Sequence, residues 1–251
     1  MPSVQQSNNN NSFFNYSNTG FVHEYQFIDV ADYEGRGESC PIPFFYQNLA
    51  EAEFVVAVYM FMMLLGYDSQ KITILSTYNG QKCLIKDIIK TKCSWHPLFR
   101  APFKITTVDK YQGQQNDYIL LSLVRTNHIG HLRDIRRLIV AMSRARFGLY
   151  VFGRHDLFSK CYEISPTMSL LSKRPLQLKI LINEIFPCLR SFDNEEIDEK
   201  QILIVKDFKH LYKIIQELLK IKYSNLLTTT PSDYLQTYKQ DNKDKKDIIM
   251  N

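Results

Sequence analysis

The sequence predicts an α/β fold, a mostly parallel sheet covered by helices on both faces. Residues 106–146 carry much of that prediction, because a strand, a polar turn, a second strand and an arginine-rich helical pattern follow one another there without interruption. Within that stretch residues 118–124 are almost wholly apolar, as a strand must be when both of its faces are covered in a parallel sheet. Strand-like and helix-like segments also alternate from Glu24 onward, the order that builds layered α/β domains.

Taken in order, residues 1–20 are rich in Asn, Ser and Gln and too poor in aliphatics to offset the entropy of ordering, so disorder is expected. Residues 24–30 read as a strand, and 32–43 as a polar loop with two glycines. Asn48 is a good N-cap for a helix running to about Leu65. Glu51, at its third position, completes a capping box, so capping alone accounts for both residues as well as any functional contact does. Residues 71–76 form the next strand, 77–80 a turn and 81–90 a helix whose start favours anions.

Residues 105–108 have the β-branched density of a short strand. Asp109 and Gln112 then have capping-box spacing for one helical turn, and Gly113 sits where a left-handed residue or a close approach is cheap. After residues 118–124 come Arg125, Arg133, Arg136, Arg137, Arg144 and Arg146, interleaved with apolar residues in a helix-like pattern. On one continuous helix Arg137 and Arg144 fall within about 20° of each other. Arg146 lies about 200° around from Arg144. A planar guanidinium suits phosphate oxygens, and the bland alternative is a solvated basic face. Downstream, residues 148–153 are a strand, Asp156 caps a short helix, 176–182 alternate like an edge strand where the sheet ends, and 201–205 are another strand. Residues 208–221 form an amphipathic helix expected to pack on the domain, and beyond Ser224 the charged run reads as a disordered tail.

This length suits one core. The expected division is a disordered segment 1–20, a main domain 21–190, a packed strand and helix 191–223, and a tail 224–251. A net charge of +5 leans toward a polyanionic partner. The five cysteines lack Cys-x-x-Cys and the even spacing of a secreted scaffold, which fits a reducing compartment. Cys93 and His96 have ligand-like spacing but lack two further ligands for zinc. The longest apolar run, 54–65, is too short for a bilayer, and no signal peptide is visible.

Val108-Asp109-Lys110-Tyr111-Gln112-Gly113, then residues 117–125, then Arg136-Arg137-Leu138 with Ser143-Arg144-Ala145-Arg146, resemble motifs V and VI of superfamily 1 helicases of the nonsense-mediated-decay type. Residues 72–81 resemble motif IV, and Asn48-Leu49-Ala50-Glu51-Ala52 resembles that group's Asn-x-x-Glu-Ala element. Residues 112–117, 130–134 and Arg174-Pro175-Leu176 are most similar to the spliceosomal, intron-binding branch. The resemblance covers residues 21 to 220 and only the second RecA-like domain. No Gly-x-x-x-x-Gly-Lys-Ser/Thr occurs, so the chain is expected to carry half an active site.

The resemblance implies ATP bound between two RecA-like domains, with Mg2+ held by the first and RNA running across both. It makes Arg144 the arginine finger and Lys82 a second phosphate contact, at a position where the family commonly has arginine. Gln112, Gly113 and Gln114 become the element sensing the nucleotide, Gln114 replacing the glutamate that decay-type relatives usually carry. Thr77, Tyr78, Thr107 and Arg125 become RNA contacts. The implied partners are intron RNA and pre-mRNA, spliceosome proteins and a first RecA-like domain in cis or trans, in the nucleus. Two alternatives stand beside this: a piece of another superfamily 1 helicase acting in RNA decay or on DNA, or a non-catalytic RNA or protein interaction module.

Overall fold

The computed structural model describes residues 17–188, 190 and 197–224; the expected tail and most of the expected disordered segment lie outside them. In chain order they form β1 (Tyr25–Asp29), the short strands β2 (Glu38–Ser39) and β3 (Gln47–Asn48), and α1 (Leu49–Leu65). Next come β4 (Ile72–Ser76), α2 (Asn79–Cys93), β5 (Lys104–Thr107), β6 (Asn116–Ser122), α3 (Ile135–Met142) and β7 (Ala145–Gly153). The remaining elements are α4 (His155–Ser159), α5 (Ser165–Leu171), β8 (Lys179–Leu181), β9 (Ile202–Ile204) and α6 (Phe208–Ser224).

The main sheet is parallel throughout, in the order β1-β7-β6-β4-β5. β6 is buried at every position, which is why its sequence is a near-continuous apolar run. α1 is apolar all round from Phe54 onward and almost wholly buried; its Phe54 ring lies 5.6 Å from that of Phe152, and Glu53 in its first turns pairs with Lys92 of α2 at 3.2 Å. The opposite face, through Leu75, Ile119, Leu121, Leu149 and Val151, is covered by Leu138 and Ala141 of α3, Phe158 of α4 and Met168 of α5. The crossovers explain the two layers: β4 to β5 steps one way along the sheet and β6 to β7 the other, and right-handed connections then fall on opposite faces. This is the RecA-like α/β arrangement that the sequence predicts.

The β5–β6 connection is unusual, for it crosses β4 on the α3 face with a 3-10 turn, Val108–Tyr111, in place of an α-helix. Tyr111 is fully buried, its hydroxyl 3.3 Å from Thr73 Oγ1. The connection leaves the carboxyl edge of the sheet, where Thr107 lies opposite Ser76, and arrives at the amino edge, where Asn116 lies opposite Ala145.

Several boundaries differ from the sequence reading. α3 stops at Met142, so Arg144 and Arg146 are not on a helix, and the angular comparison with Arg137 does not apply. The Asn116 amide donates to the Arg144 carbonyl at 3.1 Å and Ala145 already pairs with Asn116, so parallel pairing overrides the helical pattern. Asp156 lies inside the first turn of α4, whose cap residue is Arg154. β8 does not end the main sheet; it pairs antiparallel with β9 in a separate ribbon. α5 was not anticipated; its second residue is Pro166, whose missing N–H costs nothing in a first turn. Ser17, Asn18 and Thr19, assigned by composition to the disordered stretch, are buried, with Asn18 Nδ2 donating to Tyr150 Oη at 3.2 Å and Tyr67 Oη donating to the Thr19 carbonyl at 2.7 Å. The chain divides into two compact units, residues 1–211 and 212–251. In the first, the start of α6 meets Tyr33, with the Phe208 ring 5.3 Å away and Lys209 Nζ 4.6 Å above it. Of the second, the described residues are the remainder of α6.

Candidate functional site

Arg144 sits at the amino edge, between the end of α3 and the start of β7. Three acceptors hold its guanidinium: Nε donates to the Val140 carbonyl at 2.7 Å, Nη1 to the Gln114 carbonyl at 3.2 Å and Nη2 to Ser143 Oγ at 2.9 Å. The Val140 carbonyl belongs to the last turn of α3, where carbonyls lack intrahelical donors. The turn of Gln112, Gly113 and Gln114 is thereby tied to Arg144. All three residues are exposed, Gly113 is left-handed at φ 69, and Lys104 Nζ donates to Gln114 Oε1 at 2.9 Å.

The other clustered arginines differ in kind. Arg125 pairs with Glu38 at 3.0 Å, Arg133 with Glu163 at 2.8 Å, Arg136 with Asp134 at 2.9 Å, Arg137 with Asp109 at 3.6 Å and Arg146 with Asp117 at 3.6 Å. Arg144 alone of the six bonds only neutral oxygens among the described residues. No carboxylate among the described residues pairs with it, and its orientation is fixed.

The carboxyl edge is organised by Glu51, which is 0% exposed. Its Oε2 accepts from Ser122 Oγ at 2.6 Å and from the Val124 amide at 2.7 Å, and its Oε1 accepts from Asn48 Nδ2 at 3.2 Å. Asn48 Oδ1 accepts from the Glu51 amide at 3.1 Å, the expected cap. The reciprocal half of a capping box is absent, because the Asn48 amide donates instead to Gln81 Oε1 at 2.7 Å. Gln81 Nε2 donates to the Asn48 carbonyl at 2.9 Å and to Ser122 Oγ at 3.0 Å, closing a fully buried network over α1, α2 and β6. Burial pushes the Glu51 carboxyl up to about 8 against the pull of its donors from Ser122 and the backbone. Sequence reasoning did not single out Gln81 and Ser122. The signal was available in Ser122, a hydroxyl interrupting an apolar strand, which must find a buried partner.

The network fixes Val124 at φ 78, a conformation costly for a β-branched residue, and the chain then turns Arg125 inward. Arg125 is 6% exposed; besides Glu38 it reaches Tyr78 Oη at 3.3 Å and lies 3.9 Å over the Tyr46 ring. Tyr78 is also buried, and its hydroxyl accepts from the His131 amide at 3.3 Å. Gly130 must be glycine, since its φ is 62 and a Cβ there would lie 2.1 Å from Tyr78 Oη.

Of the residues expected to meet RNA, Tyr78, Thr107 and Arg125 are therefore buried, and Thr77 is half-buried with Oγ1 donating to the Leu123 carbonyl at 2.9 Å. Burial turns Tyr78 and Arg125 into supports of the loop after β6. Lys82 and Arg144, expected on one terminal phosphate, are carried at opposite ends of the strands. Lys82 lies in the first turns of α2 on the α1 face near the carboxyl edge, its Nζ 3.0 Å from Asn79 Oδ1, whereas Arg144 lies at the amino edge where α3 ends. β6 alone separates the edges by about 20 Å.

Residues 2–156 match a family model described as AAA domain. The chain is 51% identical to RNA helicase aquarius of Mus musculus over 227 residues, 90% of this chain and 15% of that protein. It is 28% identical to Pre-mRNA-splicing factor cwf11 of Schizosaccharomyces pombe over 211 residues, 84% of this chain and 16% of that protein. It is 36% identical to NFX1-type zinc finger-containing protein 1 of Homo sapiens over 182 residues, 69% of this chain and 8% of that protein. The chain thus spans a small part of the length of each.

Proposed function

Since this chain belongs to the AAA domain family, in its helicase branch, we propose that it is the second RecA-like domain of an ATP-dependent RNA helicase acting on intron RNA in pre-mRNA splicing, in the nucleus. The observation that carries the catalytic part is Arg144, held by three neutral acceptors and unmatched by a carboxylate among the described residues. A guanidinium has more N–H donors than those three bonds use, so it fits a phosphate oxygen without being rebuilt. Such preorganisation is what stabilises charge developing on a transferred phosphoryl group. Gln112, Gly113 and Gln114, exposed beside it, take the nucleotide. When bound, Mg2+ held by the first RecA-like domain shields the phosphate charge.

RNA crosses the carboxyl edge, where parallel α/β sheets commonly bind ligands. There Thr77 and Lys82, with Asn127 and His128 exposed in the loop after β6, face the phosphates, while Glu51, Tyr78 and Arg125 hold that loop. This reading gives Lys82 to RNA, and its expected place as a second phosphate contact for ATP is the alternative. The β5–β6 connection, bolted at Tyr111, joins the two edges and is the element through which nucleotide state reaches RNA. Closure on the first domain and release after hydrolysis complete the cycle.

Two measurements on the purified chain test this reading. Single-stranded RNA is bound with little sequence preference, and the affinity falls steeply between about 50 and 200 mM salt, as contacts to phosphate dictate. ATP turnover by the chain alone stays at background, because the phosphate loop that positions ATP does not occur in it. Affinity independent of salt points to the interaction-module alternative, and RNA-stimulated turnover by the chain alone overturns the half-site assignment.

A further inference from the structure

Resting on the reading of the carboxyl edge as RNA-facing, we propose that Phe44 is a stacking platform for one base of single-stranded RNA, with Lys82 beside it for the adjoining phosphate. Phe44 is 88% exposed and stands at φ 65, in the left-handed region that disfavours a side chain of its size. It occupies the tip of the loop between β2 and β3, where the Phe45 amide donates to the Ile42 carbonyl at 2.9 Å to close a turn, and Pro41 and Pro43 stiffen the backbone. Local strain of this kind persists only where the surroundings hold it, and sites of binding are where it gathers.

The surroundings do hold it. At the stem, Glu38 Oε2 accepts from Arg125 Nε at 3.0 Å and from the Asn127 amide at 3.3 Å, joining the hairpin to the loop after β6. On the other side, the Tyr46 ring lies under Arg125 and 5.1 Å from that of Tyr78. Gly80 lets the hairpin press against the start of α2, for a Cβ there would come 2.5 Å from the Tyr46 carbonyl oxygen. Gln47 Nε2 donates to the Gly80 carbonyl at 3.2 Å. The backbone of the hairpin that carries Phe44 is therefore held beside the first turns of α2, which carry Lys82, whose bonded partner Asn79 is neutral.

That combination favours a nucleotide over a protein surface. The tip carries one ring beside the exposed Ile42, an apolar area far short of the roughly 800 Å² per side of a stable protein interface, whereas one base needs only one π-face. The nearby ammonium supplies the complement to a phosphate. Because the hairpin backbone is already held and the ring has only two rotatable bonds, stacking loses little conformational entropy.

The test compares wild type with Phe44→Ala and Phe44→Trp, titrated with a uridine ribo-oligomer and with the same oligomer carrying abasic sites. Stacking of one base predicts that Phe44→Ala weakens binding by about 5- to 100-fold without changing the salt slope, and that Phe44→Trp retains it. Wild type should lose a similar factor on the abasic oligomer, and Phe44→Ala should lose nothing more. Salt-dependent RNA binding that is equal in wild type and Phe44→Ala, or wild-type binding indifferent to abasic sites, overturns the stacking site while leaving the RNA reading intact. Loss of protein capture in Phe44→Ala with RNA affinity unchanged also overturns it. No RNA binding by wild type removes the reading beneath, and the proposal with it, by a separate readout.

Discussion

Arg144→Ala, in a protein joining this domain to a first RecA-like domain that carries the phosphate loop, lowers ATP turnover by about 10³- to 10⁵-fold, the range for arginine fingers. The ground for so large an effect is local. The guanidinium is fixed by Val140, Ser143 and Gln114, so little reorganisation is needed when charge develops on the γ-phosphate. Losing those bonds costs about 1 to 2 kcal/mol at a half-exposed site, so melting temperature shifts by only about 2 to 6 °C. Arg146→Ala is the control. Arg146 is exposed and faces Asp117 at 3.6 Å, a surface pair contributing about 0 to 1 kcal/mol, and its loss leaves turnover near wild type. Stopped-time ATPase assays and thermal melts on both variants decide the assignment; turnover lost in Arg146→Ala and kept in Arg144→Ala reverses it.

Glu51→Ala destabilises the domain by about 4 kcal/mol. The substitution strands Ser122 Oγ, the Val124 amide and an Asn48 Nδ2 proton in a site without water, each a buried donor losing its acceptor. Glu51→Gln keeps one acceptor oxygen and loses less. Urea titrations of the three proteins measure this, and a Glu51→Ala midpoint equal to wild type refutes the network's role.

A pH dependence accompanies that loss. The folded-state carboxyl, pushed from 4.5 to about 8 by burial, keeps its proton where the unfolded chain has released it. Its contribution to stability is therefore fullest below pH 4.5 and declines as pH rises toward about 8, with no further change above. His23 acts in the opposite sense in a lower window. Burial, then Arg174 and Lys179, hold it down to about 4, so it costs stability as pH falls below 6.5. His23 is the same in wild type and Glu51→Gln, so the difference between their stability profiles isolates Glu51. A difference that stays flat from pH 5 to pH 8 contradicts a protonated Glu51.

Much of the fold is legible in the chain because the signals are local. Asn48 caps α1, the apolar run of β6 announces burial on both faces, and Gly66 ends α1 in a left-handed cap. The failures share a cause, which is that distant partners outweigh local preference. Ala141, Met142 and Ala145 continue a helical pattern past Met142, but Ala145 is claimed by Asn116 of the neighbouring strand. Strands of two residues such as β2 and β3 carry no periodicity at all. At the site, residue identity pointed to arginine and phosphate, yet which of six arginines keeps its charge unmatched depends on carboxylates up to 87 positions away, as with Arg125 and Glu38. Glu51 was placed correctly as an end-of-helix residue, but where its carboxylate points could be learned only with Ser122 and Val124 in view.

The strand order has a consequence for how the chain is made. β1, the first strand of the main sheet to leave the ribosome, is an edge strand whose neighbour in that sheet is β7, the last. Throughout synthesis of the intervening segment, β1 has no strand to pair with, and α1, apolar from Phe54 to Leu65, lacks the Phe152 ring it packs against. A nascent chain halted before Gly153 consequently exposes an open strand edge and a greasy helix together, the pairing that invites aggregation and engages holding chaperones. Completion of β7 closes both at once, so the domain folds late and as a unit, with the slow kinetics of a long-range parallel sheet.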